Sequence, residues 1–315
     1  MRAIAIACVV VLLAGQSAFG QRSSARSSII SLGEKPAPAV VKEVVHEIDV
    51  DGQLPRLANV NPNAIAVVIG NSDYRFTKSV KFAVNDAGSM KRYLVDLLGF
   101  KEGNVFFLQN ASKSDFELYF GVAGNHEGRV YNAVKPGVSE VFVYYSGHGA
   151  PGLKDRKGYF VPVECNPNYV ELQGYPLDVF YANLGKIRAK SVSVVLDACF
   201  SGADLFENIS PIVISMETPV FALKNGVAFT SSTRDQASSW YPEKRHGLFT
   251  YFFLKAMQEY SLADADKDRR LTYEEIFQYV SDQADGVPYY ARRINNIDQM
   301  PTLQGDARTS AILSY

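Results

Sequence analysis

Apolar runs and segments of helical period alternate along residues 61–315. The run from Ala64 to Gly70 is continuous and ends in glycine, which is typical of a strand that is buried on both faces. The stretch from Val80 to Leu98 carries apolar residues three or four positions apart, which indicates a helix. Further strands or hairpin arms are predicted at Val105–Leu108, Val141–Tyr145, Gly158–Cys165, Val192–Leu196, Val227–Thr230 and Ser310–Tyr315. Further helices are predicted at Ser114–Val122, Leu177–Arg188, Leu248–Tyr260 and Tyr273–Gln283.

This alternation indicates the fold class. Strands that alternate with helices favour parallel pairing, because each crossover helix returns the chain to the same end of the sheet. We therefore expect an α/β fold with a mainly parallel six-stranded sheet and helices on both faces. We expect the compact domain to span residues 61–315.

The residues before this domain predict an export signal. Arg2 precedes an apolar run from Ala3 to Ala14, and small residues at Ala18 and Gly20 favour cleavage before Gln21. We expect residues 1–20 to be removed and the protein to be exported to the periplasm or the extracellular space, without membrane attachment afterwards. An uncleaved anchor is the alternative, although the run is short for a membrane span of about 20 residues.

A polar leader follows the predicted signal. Its first half, up to about Ala39, is rich in serine, alanine and proline, which is typical of a flexible segment. The mixed stretch from Val40 to Val50 could form an edge strand. We therefore expect residues 21–60 to be a flexible leader that lies outside the compact domain.

Composition narrows the function classes. Hydrophobic residues make up 47% and charged residues 21% of the 315-residue chain, which indicates a packed globular protein rather than a disordered one. The net charge of −1 gives no support to nucleic-acid binding, which normally requires a basic excess. Three cysteines are too few for a disulfide scaffold. Cys8 would leave with the signal, so the mature protein would keep Cys165 and Cys199.

Two predicted strands end in segments that could carry chemistry. His148 lies between two glycines just after the third main strand, and Cys199 lies just after the fourth. Ligands of open α/β sheets bind beyond the carboxyl ends of the strands. An imidazole could activate a cysteine nucleophile and later protonate a leaving amine. Backbone N–H groups of these turns could also bind an oxyanion.

A structural interpretation stays open for each residue alone. A cysteine at the end of a strand is usually a small buried hydrophobe, and a single histidine usually has a packing role. The shared position of the two residues at carboxyl strand ends favours chemistry. In an exported protein, a disulfide between Cys165 and Cys199 is a further alternative.

The segments around both residues resemble the histidine and cysteine motifs of caspase-like cysteine peptidases. The two motifs are Tyr144–Gly149, with the sequence YYSGHG, and Leu196–Gly202, with the sequence LDACFSG. The resemblance is strongest to metacaspases and bacterial caspase homologues and covers about Ile65 to Tyr315. Further matches are Ala64–Gly70, Ala83–Ala87, Thr230–Gln236 and Gly247–Thr250.

The resemblance implies a role for each matching residue. His148 would be the base and acid, Cys199 would be the nucleophile that forms a thioester, and the N–H groups of Gly149 and Cys199 would form the oxyanion hole. The substrate would be a peptide or protein, and the chemistry would require no cofactor. A catalytically silent scaffold and a peptide ligase that uses the same thioester are the alternatives. The resemblance leaves the oligomeric state open.

An acidic specificity pocket is also implied by the resemblance. In metacaspases this pocket accepts arginine or lysine, and its residues match Asp86, Ser146 and Asp197. We expect the substrate to bring the positive partner, because buried unpaired carboxylates are costly. Structural alternatives are a favourable helix-dipole position for Asp86 and a turn cap for Asp197. The family often has a cysteine where this chain has Ala83, which would alter the pocket wall.

A calcium-binding pattern lies near the C-terminal end of the domain. Oxygen-bearing side chains occupy loop positions 1, 3, 5, 9 and 12 of the EF-hand spacing; these are Asp264, Asp266, Asp268, Thr272 and Glu275. Arg269 replaces the glycine that normally makes the sharp turn at position 6. The pattern therefore predicts a weak calcium site, with a solvated acidic connection between two helices as the alternative.

Two aromatic or titratable residues near the fifth main strand are harder to assign. Trp240 is a candidate wall for substrate side chains, although it could simply pack on the domain. His246 precedes a predicted helix, and we expect it to shape a loop rather than to take part in chemistry.

Overall fold

The computed structural model describes residues 48–55, 57, 60–199, 223–233 and 236–315. The strands are β1 (Ile65–Gly70), β2 (Val105–Gln109), β3 (Glu140–Ser146), β4 (Gly149–Pro151), β5 (Gly158–Phe160), β6 (Tyr175–Pro176), β7 (Ser191–Asp197), β8 (Gly226–Thr230), β9 (Trp240–Tyr241), β10 (His246–Gly247), β11 (Arg270–Thr272), β12 (Thr302–Gly305) and β13 (Ala311–Ser314). The α-helices are α1 (Ala83–Asp96), α2 (Lys113–Phe120), α3 (Arg129–Ala133), α4 (Val170–Gln173), α5 (Leu177–Leu184), α6 (Leu248–Gln258), α7 (Tyr260–Ala263), α8 (Tyr273–Val280) and α9 (Val287–Tyr290).

Six of these strands form the central sheet, in the order β12-β8-β7-β3-β1-β2. Neighbouring strands pair in parallel except for β12, which runs antiparallel to β8. The prediction of a mainly parallel six-stranded sheet is therefore confirmed.

One strand of the central sheet, β12, was not predicted from the sequence. The expected strand at Ser310–Tyr315 corresponds to β13, which pairs with β11 outside the central sheet. The edge position of the sheet belongs to β12, where residues Gln304 and Gly305 are exposed. Four residues with one buried side chain carry too little hydrophobic alternation to be recognised as a strand.

Two hydrophobic layers cover the two faces of the sheet. Alternate residues of β1 divide between them: Ala66 and Val68 pack into one cluster, whereas Val67 and Ile69 pack into the other. The first cluster contains apolar side chains of α1, α6 and α8, and the second contains those of α2 and α5. Burial on both faces explains why β1 is a continuous apolar run.

Gly70 allows the close contact between β1 and the start of α1. A Cβ atom at this position would lie 2.8 Å from the Cβ of Ala87 and would collide with the carbonyl oxygen of Ala83. Any larger residue would push α1 away from the sheet. The glycine therefore fixes the first turn of α1, which carries Asp86, close to the carboxyl edge of the sheet.

The compact domain begins earlier than the sequence predicted. Val50 and Leu54, from the expected leader, are buried in the core cluster next to α1 and α6. Residues 48–50, the described part of the expected edge strand, form no strand. They are held by hydrogen bonds to side chains instead, and such contacts leave no periodic pattern in the sequence. The predicted signal and most of the leader lie outside the described residues.

The register of the parallel strands aligns their carboxyl ends. Gly70 of β1 pairs with Ser146 of β3, and Ser146 pairs with Asp197 of β7. The segments that follow these strands therefore leave the sheet side by side. Within the described residues, no helix combines the length and the hydropathy that a membrane span requires.

Candidate active site

His148 and Cys199 follow paired strand ends at the same offset. His148 lies two residues after Ser146, and Cys199 lies two residues after Asp197, the partner of Ser146 in the sheet. Backbone hydrogen bonds continue beyond the strands, because Gly147 N–H donates to Asp197 O (3.3 Å) and Gly149 N–H donates to Cys199 O (3.2 Å). The fold thus brings the two predicted catalytic residues onto adjacent backbone segments.

The ring of His148 is oriented by a backbone carbonyl. Its Nε2 atom lies 2.8 Å from the carbonyl oxygen of Lys78. A carbonyl can only accept, so Nε2 carries the proton. Nδ1 is then the ring nitrogen that is able to accept a proton from a nucleophile. The ring also contacts Tyr74, with centroids 4.6 Å apart.

Two tyrosines hold the backbone of His148. Its N–H donates to the hydroxyl of Tyr74 (2.7 Å), and its carbonyl accepts from the hydroxyl of Tyr145 (2.6 Å). Since Tyr145 belongs to β3, these contacts tie the turn rigidly to the sheet. The histidine is consequently 9% exposed and held from both sides.

Cys199 receives a hydrogen bond on its sulfur. The backbone N–H of Ser238 donates to Sγ, and the thiol in turn donates to the carbonyl oxygen of Ser238 (3.6 Å). The predicted oxyanion donor Gly149 has its N–H on the carbonyl of Cys199. To bind a substrate oxyanion, that N–H must exchange the carbonyl for the substrate oxygen.

The three residues of the predicted specificity pocket meet below the strand ends. Ser146 Oγ lies 3.3 Å from Asp86 Oδ2 and donates to it. Asp86, Ser146 and Asp197 are 1%, 2% and 6% exposed. We call these three residues the acidic pocket. The sequence predicted their convergence, and the structure brings them together.

Asp197 is held by uncharged donors. Thr250 donates to its Oδ2 from both the backbone N–H (3.2 Å) and Oγ1 (2.6 Å). Tyr144 extends this chain with a hydroxyl contact to Thr250 Oγ1 (2.6 Å). Burial, together with the nearby Asp86 carboxylate, raises the pKa of Asp197 to about 7.

His246 binds Asp86 directly, which the sequence did not predict. Its Nδ1 lies 2.7 Å from Asp86 Oδ1, and its Nε2 lies 3.2 Å from Asp51 Oδ2. Burial would lower the pKa of His246, but the hydrogen bonds and charges of Asp51 and Asp86 outweigh it and raise the pKa to about 9. His246 is therefore a buried cation at neutral pH.

We expected the substrate to supply the positive partner of Asp86, and this contact corrects that expectation. The protein supplies that partner itself. Burial still raises the pKa of Asp86, and the hydrogen bond and charge of His246 oppose the rise. Asp51 and Asp86 lie 195 and 160 positions from His246, so no local pattern could have indicated the cluster.

Gly247 lets the chain pass between the two carboxylates. Its N–H donates to both oxygens of Asp86 (3.2 and 3.1 Å). A Cβ atom there would collide with Asp197 Oδ2 and lie 3.1 Å from Asp86 Oδ2. Trp240 pairs with Gly247 across β9 and β10. It packs edge-on against Phe82 and is 41% exposed, and its role as a wall for substrate side chains stays a prediction.

The two cysteines of the described chain are both free thiols. Cys165 is fully buried, and burial raises its pKa to about 12. It therefore behaves as a small core residue, whereas Cys199 is partly exposed.

The segment from Asp264 to Glu275, which we call the Asp264 loop, folds with an EF-hand-like backbone. Arg269 adopts the left-handed conformation (φ 68°) that the glycine at position 6 normally provides, at a cost of about 1–2 kcal/mol. Its N–H donates to Asp264 Oδ2 (2.9 Å). The apolar position 8, Leu271, pairs with Leu313 of β13. The loop thus forms without the glycine.

The side chains of this loop match a hard cation in chemistry. Ligand oxygens of Asp264, Asp266 and Asp268 lie within 4.8 Å of one another. Glu275 caps the following helix by accepting from Thr272 N–H and Oγ1 (2.9 and 2.7 Å). Oxygen donors of this kind fit calcium. Calcium binding itself stays a prediction.

Comparisons with known proteins agree with this geometry. The family model described as Caspase domain matches residues 63–312. A search of curated protein sequences finds no significant match. Among solved structures, the fold is similar to a protein from Geobacter sulfurreducens (TM-score 0.53, 17% identity, 80% of this chain and 99% of that chain). It is also similar to caspase-1 from Spodoptera frugiperda (TM-score 0.53, 16% identity, 85% and 99%) and to pro-sf-caspase-1 (TM-score 0.50, 13% identity, 80% and 91%). Because the family model covers most of the chain, the protein belongs to the caspase-like family of cysteine peptidases.

Proposed function

We propose that this protein is a cysteine endopeptidase that cleaves after arginine or lysine with His148 and Cys199. The observation that carries the proposal is the β3–β7 register, which sets both residues two positions beyond paired strand ends. The acidic pocket at the same edge supports the preference for basic residues and the metacaspase branch of the family.

Acylation starts with transfer of the Cys199 thiol proton to Nδ1 of His148. The thiolate attacks the carbonyl carbon of the scissile bond, a C–S bond forms, and the carbonyl oxygen becomes an oxyanion. N–H groups of Gly149 and Cys199 bind that oxyanion. Its collapse breaks the C–N bond, and His148 returns the proton to the leaving amine.

Deacylation repeats the same proton transfers with water. His148 takes a proton from a water molecule, whose oxygen attacks the thioester carbon. The C–S bond breaks, the new carboxylic acid leaves, and the sulfur recovers its proton. The hydrogen bond from Nε2 to Lys78 O (2.8 Å) keeps Nδ1 in the role of acceptor throughout.

Substitution of the dyad tests the proposal. We expect Cys199→Ala and His148→Ala each to lower cleavage of arginine peptides by several orders of magnitude, with the melting temperature preserved. Cys165→Ala is the matched control, because it removes the other thiol of the described chain, and it should retain cleavage. Wild-type turnover in Cys199→Ala would overturn the dyad, and an inactive wild type would favour the scaffold alternative.

Product analysis separates hydrolysis from ligation. A thioester that meets water gives a free carboxylate, whereas one that meets an amine gives a new peptide bond. We expect mass spectrometry of peptides incubated with excess amine to detect only hydrolysed products. A dominant transpeptidation product would support the ligase alternative.

We also propose that the protein is exported with its thiols reduced. The signal-like residues 1–20 support export, and a catalytic Cys199 requires a free thiol. Mass analysis of protein secreted by its cell should find an N-terminus at Gln21, and thiol titration after unfolding without reductant should find two thiols. An N-terminus at Met1 or a titration of zero would contradict the proposal.

A further inference from the structure

The buried histidine His246 links the acidic pocket to the N-terminal segment. One ring nitrogen contacts Asp86 (2.7 Å), and the other contacts Asp51 (3.2 Å). The side chains of His246, Asp86 and Asp51 are 0%, 2% and 43% exposed. Both contacts are with carboxylates, so both ring nitrogens donate and the ring is an imidazolium.

The segment that carries Asp51 is fixed firmly to the domain. Arg92 donates to the carbonyl oxygens of Val50 (2.6 Å), Asp51 (2.9 Å) and Gly52 (2.7 Å). Ser89 Oγ donates to Asp51 Oδ1 (2.5 Å). Ser89 and Arg92 lie on α1, the helix that also carries Asp86. One helix therefore positions both carboxylates of the histidine.

We propose that His246 is a positioning residue that keeps Asp86 ionised for recognition of a basic side chain, and that Asp51 makes the N-terminal segment part of this specificity device. The inference rests on the proposed function. It extends the acidic pocket by two residues, which reach it from β10 and from the segment before β1.

The charge balance explains why the cation is needed. Asp86 is buried beside Asp197, so burial and mutual repulsion both favour a protonated carboxyl. A protonated Asp86 cannot form an ion pair with a guanidinium. His246 offsets one negative charge within the protein, and Asp51 holds His246 in its charged form. The hydrogen bond from His246 correspondingly lowers the pKa of Asp51 to about 2.

Other charged or titratable groups face this cluster and enter its pH dependence. Arg92 Nη2 lies 3.9 Å from Asp51 Oδ1. The ring of Tyr251, on α6, is centred 6.5 Å from that of His246, and Lys244 Nζ lies 5.9 Å from the Tyr251 ring. Asp197 faces Gly247, next to His246 in the chain.

Three variants separate the proposed role from a structural one. His246→Gln keeps a donor toward Asp86 but removes the charge, and Asp51→Asn keeps an acceptor but removes its charge. Asp49→Asn is the matched control, because Asp49 is exposed and accepts from the N–H of Asp51 (3.0 Å), a contact that the amide oxygen of asparagine can still make. Melting temperatures establish that each variant folds.

The first measurement is the pH profile of kcat/KM on an arginine peptide. We expect His246→Gln to raise KM about tenfold at pH 7 with kcat nearly unchanged, because loss of the cation increases the protonated share of Asp86 in the enzyme without substrate. We expect the acidic limb of the pH profile of His246→Gln to shift to higher pH by at least one unit, so that kcat/KM recovers near pH 9. Asp51→Asn should shift the limb in the same direction by a smaller amount, and Asp49→Asn should not shift it. An equal loss at every pH, or a loss in kcat alone, would overturn the proposal.

The second measurement needs no substrate. NMR titration of the histidine rings, assigned with His246→Gln, should place the His246 midpoint above pH 8 in the wild type and at least one unit lower in Asp51→Asn. A midpoint near 6.5, or one unmoved in Asp51→Asn, would overturn the proposal. If the titration is as expected but the wild type leaves arginine peptides intact, the proposed function fails and the recognition role fails with it, while the charge network stands.

Discussion

The acidic pocket and the Asp264 loop both gather carboxylates, yet their environments differ. In the pocket, Asp86 and Asp197 are buried side by side, and burial raises the pKa of each. In the loop, burial alone would raise the pKa of Asp264. Hydrogen bonds from Tyr315 and from the backbone N–H groups of Arg269 and Lys267 hold it below its ordinary value instead.

The difference lies in how each cluster is compensated. The pocket contains an internal cation, His246, which offsets one of its two carboxylate charges and leaves the other for the basic side chain that we propose as substrate. In the loop, Asp264 accepts from neutral donors. These contacts therefore do not offset the summed negative charge of the loop carboxylates. The proposed basic side chain of the substrate would therefore match the charge of the pocket, and the predicted calcium ion would match that of the loop.

Removal of a pocket carboxylate should have the largest effect. Asp86→Ala leaves His246 as a buried cation facing a void, and it deprives an arginine of its ion-pair partner. We expect kcat/KM on arginine peptides to fall about a thousandfold, equal to about 4 kcal/mol. Peptides with aspartate in place of the arginine before the scissile bond should stay uncleaved.

The matched control lies on the same helix. Asp96→Asn changes an exposed acid at the end of α1 and should leave the rate within twofold. Efficient cleavage after aspartate, or equal rates for Asp86→Ala and the wild type, would show that the acidic pocket does not select basic side chains.

Features that depend on local sequence patterns could be predicted, whereas features that depend on contacts between distant residues could not. Long apolar strands and the motifs around His148 and Cys199 are local patterns, and they predicted the parallel sheet and the position of both residues. The contacts of His246 join residues more than 150 positions apart, and β12 pairs through its backbone at an edge. Neither feature imposes a period on its own segment. The same holds for Asp51, whose segment resembled a leader because it is held by side chains of α1.

Ionisation of Asp197 should reduce stability as pH rises. Its pKa rises from an ordinary value near 3.9 to about 7 in the folded protein, so folding favours the protonated form. The contribution to stability is full below pH 4 and is lost as pH rises toward 7, at up to about 1.4 kcal/mol per unit. Asp197→Asn has no such titration, and its amide oxygen can still accept from Thr250.

Chemical unfolding at several pH values checks this prediction. We expect the stability of Asp197→Asn relative to the wild type to increase by about 2.6 kcal/mol between pH 5 and pH 8. The exposed control Asp96→Asn should give a difference that does not change with pH. A constant difference for Asp197→Asn as well would mean that Asp197 is ionised across this range, as Asp264 is in the loop.

Calcium should stabilise the Asp264 loop by a smaller amount. The lowered pKa of Asp264 keeps it ionised at neutral pH, but the strained Arg269 and the single loop limit affinity. At a concentration ten times the dissociation constant, binding stabilises the fold by about 1.4 kcal/mol. This should raise the melting temperature by about 3–5 °C in a domain of this size.

Asp264→Ala and Asp268→Asn should remove this gain in melting temperature, and Asp285→Asn, which changes an exposed acid after α8, should keep it. Because the loop is distinct from the pocket, Asp86→Ala should keep the full calcium shift. Identical melting of the wild type in calcium and in chelator would leave the loop a solvated turn, and a shift lost in Asp86→Ala would assign the ion to the pocket.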